Sequence, residues 1–171
     1  RMVALTAADC EIISALGCED LLVGRGEYCD FPASVLEIPS VQSGYDTNVE
    51  QIIALDPQVV VMSSMAQWEE QAQALSQAGI ATLFTDAQNL EGVYQAITLL
   101  GDVLDRQEKA GELIDQMGTA FHEIEQKVSN HSTGKTVYFE VSPLEYGLWT
   151  AGRDTFMDEI ATLLGLENIF S

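Results

Sequence analysis

Basic side chains are scarce in this chain: seven Lys and Arg stand against 27 Asp and Glu, a formal net charge of −20. A surface this acidic repels phosphate backbones, which argues against nucleic acid as a partner, and it gives no electrostatic pull toward anionic lipid. Its plain effect is solubility. Long hydrophobic runs are also missing, so no segment reads as a membrane span. There is no CxxC among Cys10, Cys18 and Cys29, which argues against a structural zinc or a thioredoxin-type motif. An odd number of cysteines cannot pair fully within one chain. Cys10 and Cys18 fall on or near an apolar helix face, where a cysteine usually serves as a small buried hydrophobe, so cysteine usage does not reveal the compartment. The signatures GxxxxGK[ST], GxSxG and HExxH are absent, and Gly24-x-Gly26 lacks the third glycine and following helix of a dinucleotide site. The two histidines, His122 and His131, lie on a long helical stretch and just after it, away from any strand end. No metal site and no resident cofactor are therefore expected. Nor is a catalytic acid–base constellation, so the chain does not read as an enzyme.

What is present is a regular alternation. "MVALT" at 2–6 is a short apolar strand, and "AADCEIISALG" is a helix with Asp9 as N-cap and Gly17 as C-cap. "LLVGRG" at 21–26 is a second strand, and a third ends at Val41. A helix capped by Thr47 or Asn48 carries Ile52, Ile53 and Leu55 and stops before Pro57. "QVVVMSS" at 58–64, the helix "MAQWEEQAQALSQAG", the strand "IATLFTD" at 80–86 and a helix beginning in "LEGVYQAITLLGDVL" follow. Strands alternating with helices over short connections predict βαβ units and a parallel sheet covered on both faces: an α/β, Rossmann-like lobe over 1–101. From 102 to 130 the apolar residues recur at helical spacing without proline, predicting one helix of about 27 residues, roughly 40 Å long. After it, 134–171 supplies a strand at 136–142 and a helix from about Thr155, the beginning of a second α/β lobe that cannot bury a sheet face unaided.

In open parallel sheets, ligands sit at the strand C-terminal ends. The loops expected there are 6–9, 27–30, 43–46, 63–68 and 142–149. They carry Tyr28, Tyr45, Ser64, Met65, Trp68, Tyr146 and Trp149. Each aromatic alone is as readily a packing residue. Together they would form an uncharged aromatic cleft with hydroxyls, suited to a large organic ligand, with Ser64 hydrogen-bonding to it. Glu69 and Glu70 open a helix, where they complement its dipole or offer a carboxylate to arginines of another protein.

The segments "VALTAADCEIISALG", "VGRGEYCDFP", "NVEQIIALDPQVVVM", "AGIATLFTDA" and "GLENIF" resemble the cobalamin and iron-siderophore class of ABC-transporter substrate-binding proteins. The N-x-E-x-I-x-x-L-x-P-x-[LV]-[VI] element at 48–60 is the most specific piece. The resemblance implies two α/β lobes joined by a long rigid helix, with a corrinoid, ferric siderophore or haem-like ligand held between them. It implies an extracytoplasmic protein, in the periplasm or lipid-anchored at the outer face of the membrane, that hands ligand to an ABC permease. It makes Glu69 the first-lobe carboxylate that meets permease arginines. Family members run on to complete the second lobe, so the chain is expected to be a fragment with an open sheet edge near 136–142 that invites self-association. The rival readings are a flavodoxin-like or Rossmann-like enzyme, with Asp9, Asp30 and Asp46 as its strand-end carboxylates, and an interaction module without ligand.

Overall fold

The computed structural model describes residues 1–63, 69–129 and 134–171. The chain folds as two compact units, one formed by 1–86 with 96–110 and the other by 87–95 with 111–171.

The first unit is built on a five-stranded sheet of order β3-β2-β1-β4-β5. Its strands are β1 (Met2–Ala4), β2 (Leu22–Gly26), β3 (Ser40–Val41), β4 (Val59–Met62) and β5 (Ala81–Phe84), and every pairing is parallel. β1 and β4 lie in the middle, and Val3, Ala4, Val60, Val61 and Met62 are fully buried. A strand covered on both faces has no polar side to present. This is why both read as unbroken apolar runs rather than alternating ones. Three helices, α1 (Ala7–Ala15), α2 (Val49–Ala54) and α3 (Glu69–Gln77), connect the strands. Ile52 of α2 and Leu75 of α3 pack with Val3, Val41, Val60, Met62 and Ile80 into one cluster. Gly24 and Gly26 are required by packing. A Cβ at Gly24 would stand 2.5 Å from Leu55 Cδ1, and one at Gly26 2.3 Å from the Leu5 carbonyl oxygen.

Two helix caps refine the sequence reading. Thr6, not Asp9, caps α1: its hydroxyl accepts from the Asp9 amide at 3.2 Å, which places Asp9 within the first turn. Asn48 caps α2, accepting from the Gln51 amide at 3.0 Å.

The helix expected over 102–130 starts later, at Gln107, and the helix before it runs on to Val103. α4 (Leu90–Val103) ends where Asp105 takes a left-handed φ of 56°, and α5 (Gln107–Ser129) then runs for 23 residues, about 34 Å. A tight turn at 104–105 separates the two helices and closes back on Gly101. The Arg106 amide returns to the Gly101 carbonyl at 2.7 Å, and a Cβ on Gly101 would meet Ala110 Cβ at 2.6 Å. Leu104 and Ala110 are buried beside this turn, so the apolar spacing continues across the break and blurs its position.

In the second unit, the strand expected over 136–142 is short. β6 (Thr136–Val137) pairs in parallel with β7 (Glu167–Asn168). Beyond Val137 the chain leaves the ladder: the Val141 amide donates to the Trp149 carbonyl at 3.1 Å, closing a loop of its own. α6 (Phe156–Leu163) is capped by Thr155, whose hydroxyl accepts from the Asp158 amide at 3.3 Å. Buried Asn168 ties β7 to this corner through the Ala151 carbonyl at 2.9 Å and Asp158 Oδ1 at 3.0 Å. Among the described residues no helix is long and apolar enough to cross a membrane.

Candidate functional site

Because all five strands of the first unit run the same way, their C-terminal ends share one edge. The chain steps outward from β1 to β2 and β3, then crosses to β4 and β5 on the other side. The order reverses between β1 and β4, the place where open sheets of this kind leave a crevice.

Asp9 sits at that reversal. It is 1% exposed and accepts from Thr6 Oγ1 at 2.6 Å and from Thr85 Oγ1 at 2.5 Å. Burial pushes its carboxyl above the usual carboxylate range. The two hydroxyls pull the other way, and nearby Asp86 adds repulsion. Asp86 in turn accepts from Ser63 Oγ at 2.9 Å. Asp9 thus ties the ends of β1 and β5 together, and Ser63 and Asp86 link the ends of β4 and β5. A carboxylate sealed under two hydroxyls is a structural tie rather than a poised base.

Tyr28 follows β2 and Tyr45 follows β3, on adjacent loops of the same edge, 73% and 70% exposed. The loops beneath them are fastened from within. Arg25 is buried and donates to the Gly26 and Cys29 carbonyls at 3.3 and 2.9 Å, and Glu27 accepts from the Ser43 amide at 3.3 Å. The Tyr45 carbonyl accepts from Gln71 Nε2 at 3.2 Å. Phe31, in the Tyr28 loop, is also exposed. The sequence reading passed over it, although a large apolar residue before Pro32 in the polar stretch "EYCDFP" is a legible signal. Ser64, Met65 and Trp68 lie outside the described residues. Glu69 is exposed at the start of α3 beside Glu70.

In the second unit, Tyr146 and Trp149 are 71% and 63% exposed. Trp149 Nε1 donates to the Tyr146 carbonyl at 2.9 Å, and Ser142 Oγ donates to the Gly147 carbonyl at 3.2 Å. Gly147 adopts a φ of 95°, a conformation that only glycine takes without strain. These bonds stay within the loop, and its rings, with Leu144 and Leu148, are left to solvent. Tyr28 and Tyr45 thus stand on loops that follow neighbouring strands, and Tyr146 and Trp149 share one loop and a hydrogen bond. A separate open depression of about 480 Å³ in this unit is lined by Asn89, Glu125, Asp154, Asp158 and Glu159 and includes none of these aromatics. No group of three or more metal-ligating side chains is placed to hold an ion among the described residues.

Known proteins resemble this chain in sequence and in fold. A family model described as periplasmic binding protein matches residues 2–171. An uncharacterised ABC transporter substrate-binding lipoprotein, YvrC of Bacillus subtilis, is 32% identical over 98% of this chain and 54% of its own length. A vitamin B12-binding protein of Salmonella paratyphi A is 26% identical over 100% of this chain and 62% of its own. In fold, the chain is similar to the periplasmic haem-binding protein RhuT from Roseiflexus, with a TM-score of 0.90 at 22% identity, covering 98% of this chain and 65% of that one. The chain therefore spans 54% and 62% of the length of these two curated relatives. The parallel sheet, the edge loops and the match over 2–171 lead to one conclusion: the chain belongs to the periplasmic binding protein family.

Proposed function

We propose that this chain forms part of the substrate-binding component of an ABC importer, which takes a large organic ligand (a corrinoid, ferric siderophore or haem) and delivers it to a membrane permease. The observation that carries the reading is the exposure of Tyr28 and Tyr45 on adjacent loops at the C-terminal edge of β2 and β3. Large rings held out on fastened loops bind by stacking and area. Tyr28, Tyr45, Ser64, Met65 and Trp68 contact the ligand from the first lobe (1–101), and Tyr146 and Trp149 from the second (beginning at 134), with the segment 102–130 as the helical connection. Glu69 docks on arginines of the permease.

A corrinoid is the favoured ligand, because the aromatic set is uncharged. A ferric siderophore of net negative charge would want arginines, and Arg25 is buried with Nη1 committed to backbone carbonyls, which leaves exposed Arg153. Haem remains the third candidate, with Tyr28, Tyr45 or Tyr146 as axial donor. The protein carries out no chemistry on its cargo. Of the strand-end carboxylates open to the enzymatic alternative, Asp9 is sealed beneath Thr6 and Thr85, while Asp30 and Asp46 are exposed on the loops that carry Tyr28 and Tyr45. The protein sits in the periplasm or on a lipid anchor, and the exposed apolar residues around β6 favour self-association when unliganded.

The test is a calorimetric titration of the full-length protein with cyanocobalamin, a ferric siderophore and haemin. Saturable binding of one of the three, with cyanocobalamin the tightest, is expected. Binding of none of them, or of a nucleotide or flavin instead, overturns the reading.

A further inference from the structure

Two buried thiols have no part in the site described above. Cys10 lies on α1 and Cys29 in the loop after β2, and they are 0% and 1% exposed. Both Sγ atoms approach one acceptor, the Ala4 carbonyl oxygen, each at 3.9 Å. The two buried sulfurs therefore converge on one shared backbone acceptor. The parallel pairing of β1 with β2 creates this meeting, since it sets Ala4 beside Arg25 and brings the two strands' outgoing segments together. The Cys29 loop is then drawn inward: the Cys29 amide donates to the Gly26 carbonyl at 3.1 Å, and its carbonyl accepts from Arg25 Nη1 at 2.9 Å.

The surroundings make the two thiols unequal. A hydrogen bond from Cys10 lowers the Cys29 thiol below its ordinary range against the cost of burial, helped by the Gly26 backbone and the Arg25 charge. The same hydrogen bond, with burial, raises Cys10. Arg25 is buried, no salt bridge reaches it among the described residues, and its Nε lacks a partner there. A thiolate at Cys29 gives that cation a neighbour of opposite charge.

We propose that Cys10 and Cys29 are a redox pair that closes to a disulfide and so fastens the loop carrying Tyr28 to α1. Membership of a periplasmic family places the chain outside the cytoplasm, where disulfides persist. The oxidant is a small or protein-borne disulfide. Both sulfurs are buried once the chain is folded, so the step belongs to folding, before the 27–31 loop closes: the Cys29 thiolate attacks one sulfur of that disulfide, forming a mixed disulfide and releasing one thiolate. Cys10 then gives up its proton, and its sulfur attacks Cys29 Sγ. The Cys10–Cys29 bond forms, the mixed bond breaks, and a second thiolate leaves. Two protein thiols lose two electrons and two protons, and the oxidant becomes two thiols. Cys18, buried with its thiol on the Leu16 carbonyl, stays reduced.

The test is to refold the full chain from urea with oxidised glutathione, or with dithiothreitol, then denature it in acid, alkylate it and map its peptides. With oxidised glutathione, the Cys10 and Cys29 peptides are expected as one linked species and Cys18 as the alkylated one, so reactive thiols fall from three to one. With dithiothreitol all three are alkylated. Cys29→Ser abolishes the link and leaves Cys10 alkylated. Three alkylated thiols after refolding with oxidised glutathione, or a link that includes Cys18, overturns the pair. Hydrogen exchange at 27–31 is expected to slow in the oxidised form. Equal exchange in the two forms overturns the fastening of the loop.

Discussion

The first unit encloses a large apolar core beneath exposed rings on its edge loops, whereas the second encloses little and displays many of its large apolar residues. In the first, the central strands and the helices over them enclose Val3, Ile52, Val60, Met62 and Leu75. In the second, a two-stranded ladder and α6 leave Tyr138, Val141, Leu144, Tyr146, Leu148, Trp149, Ile169 and Phe170 exposed. The same chemistry thus has opposite thermodynamic meaning in the two places. Apolar area removed from water holds the first unit together, whereas apolar area kept in water is free to be covered by something else.

The comparison can be broken most easily at the first unit's core. Ile52 is fully buried, and Ile52→Ala is expected to cost about 2–5 kcal/mol in urea denaturation. A cost below about 1 kcal/mol would mean that the sheet and helix faces are not packed as described.

Next in size is the corner that organises the second unit. Asn168→Ala strips hydrogen bonds from the Ala151 carbonyl and Asp158, and about 1–3 kcal/mol is expected. The loss should register in the fluorescence of Trp149 more than in the circular dichroism of the whole chain. An unaltered Trp149 signal would argue that this corner does not hold the loop.

The third difference depends on pH. The folded-state pKa of Asp9 is raised above its unfolded value of 3.8, so folding favours the protonated form. That stabilisation is complete below the unfolded pKa and is lost as pH rises through the folded one. Wild type is therefore expected to lose stability relative to Asp9→Asn as pH climbs upward from about 4. A stability difference between the two that does not change with pH would contradict the burial assigned to Asp9.

The smallest effect belongs to the exposed rings. Trp149→Ala is expected to change folding stability by no more than about 0.5 kcal/mol, since the ring is 63% exposed. A loss of 2 kcal/mol or more would make it a core residue.

These contrasts follow the line between what the sequence reveals and what it hides. β1 and β4 are legible because strands buried on both faces leave continuous apolar runs, and α3 and β5 because length and Gly79 punctuate them. The break between the two helices is legible to within a few residues: it is expected after Gly101 and falls at 104–106, because Leu104 and Ala110 preserve helical spacing across it and no proline marks it. β7 is missed because Glu167 and Asn168 are polar and their ladder partner lies far back in the chain. The chain does not announce the meeting of Cys10 and Cys29 either, because only the pairing of β1 with β2 creates it. Tyr28, Tyr45, Tyr146 and Trp149 could be named in advance because turn residues surround them, yet their exposure had to come from the folded loops.

The most direct measurement is the affinity of the full-length protein for cyanocobalamin after Tyr28→Ala and, separately, after Trp149→Ala. If both units supply ligand contacts, each variant weakens binding by about tenfold or more, ~1.4 kcal/mol, while folding stability is unchanged. If both variants bind as tightly as wild type, the exposed aromatics are not the ligand surface.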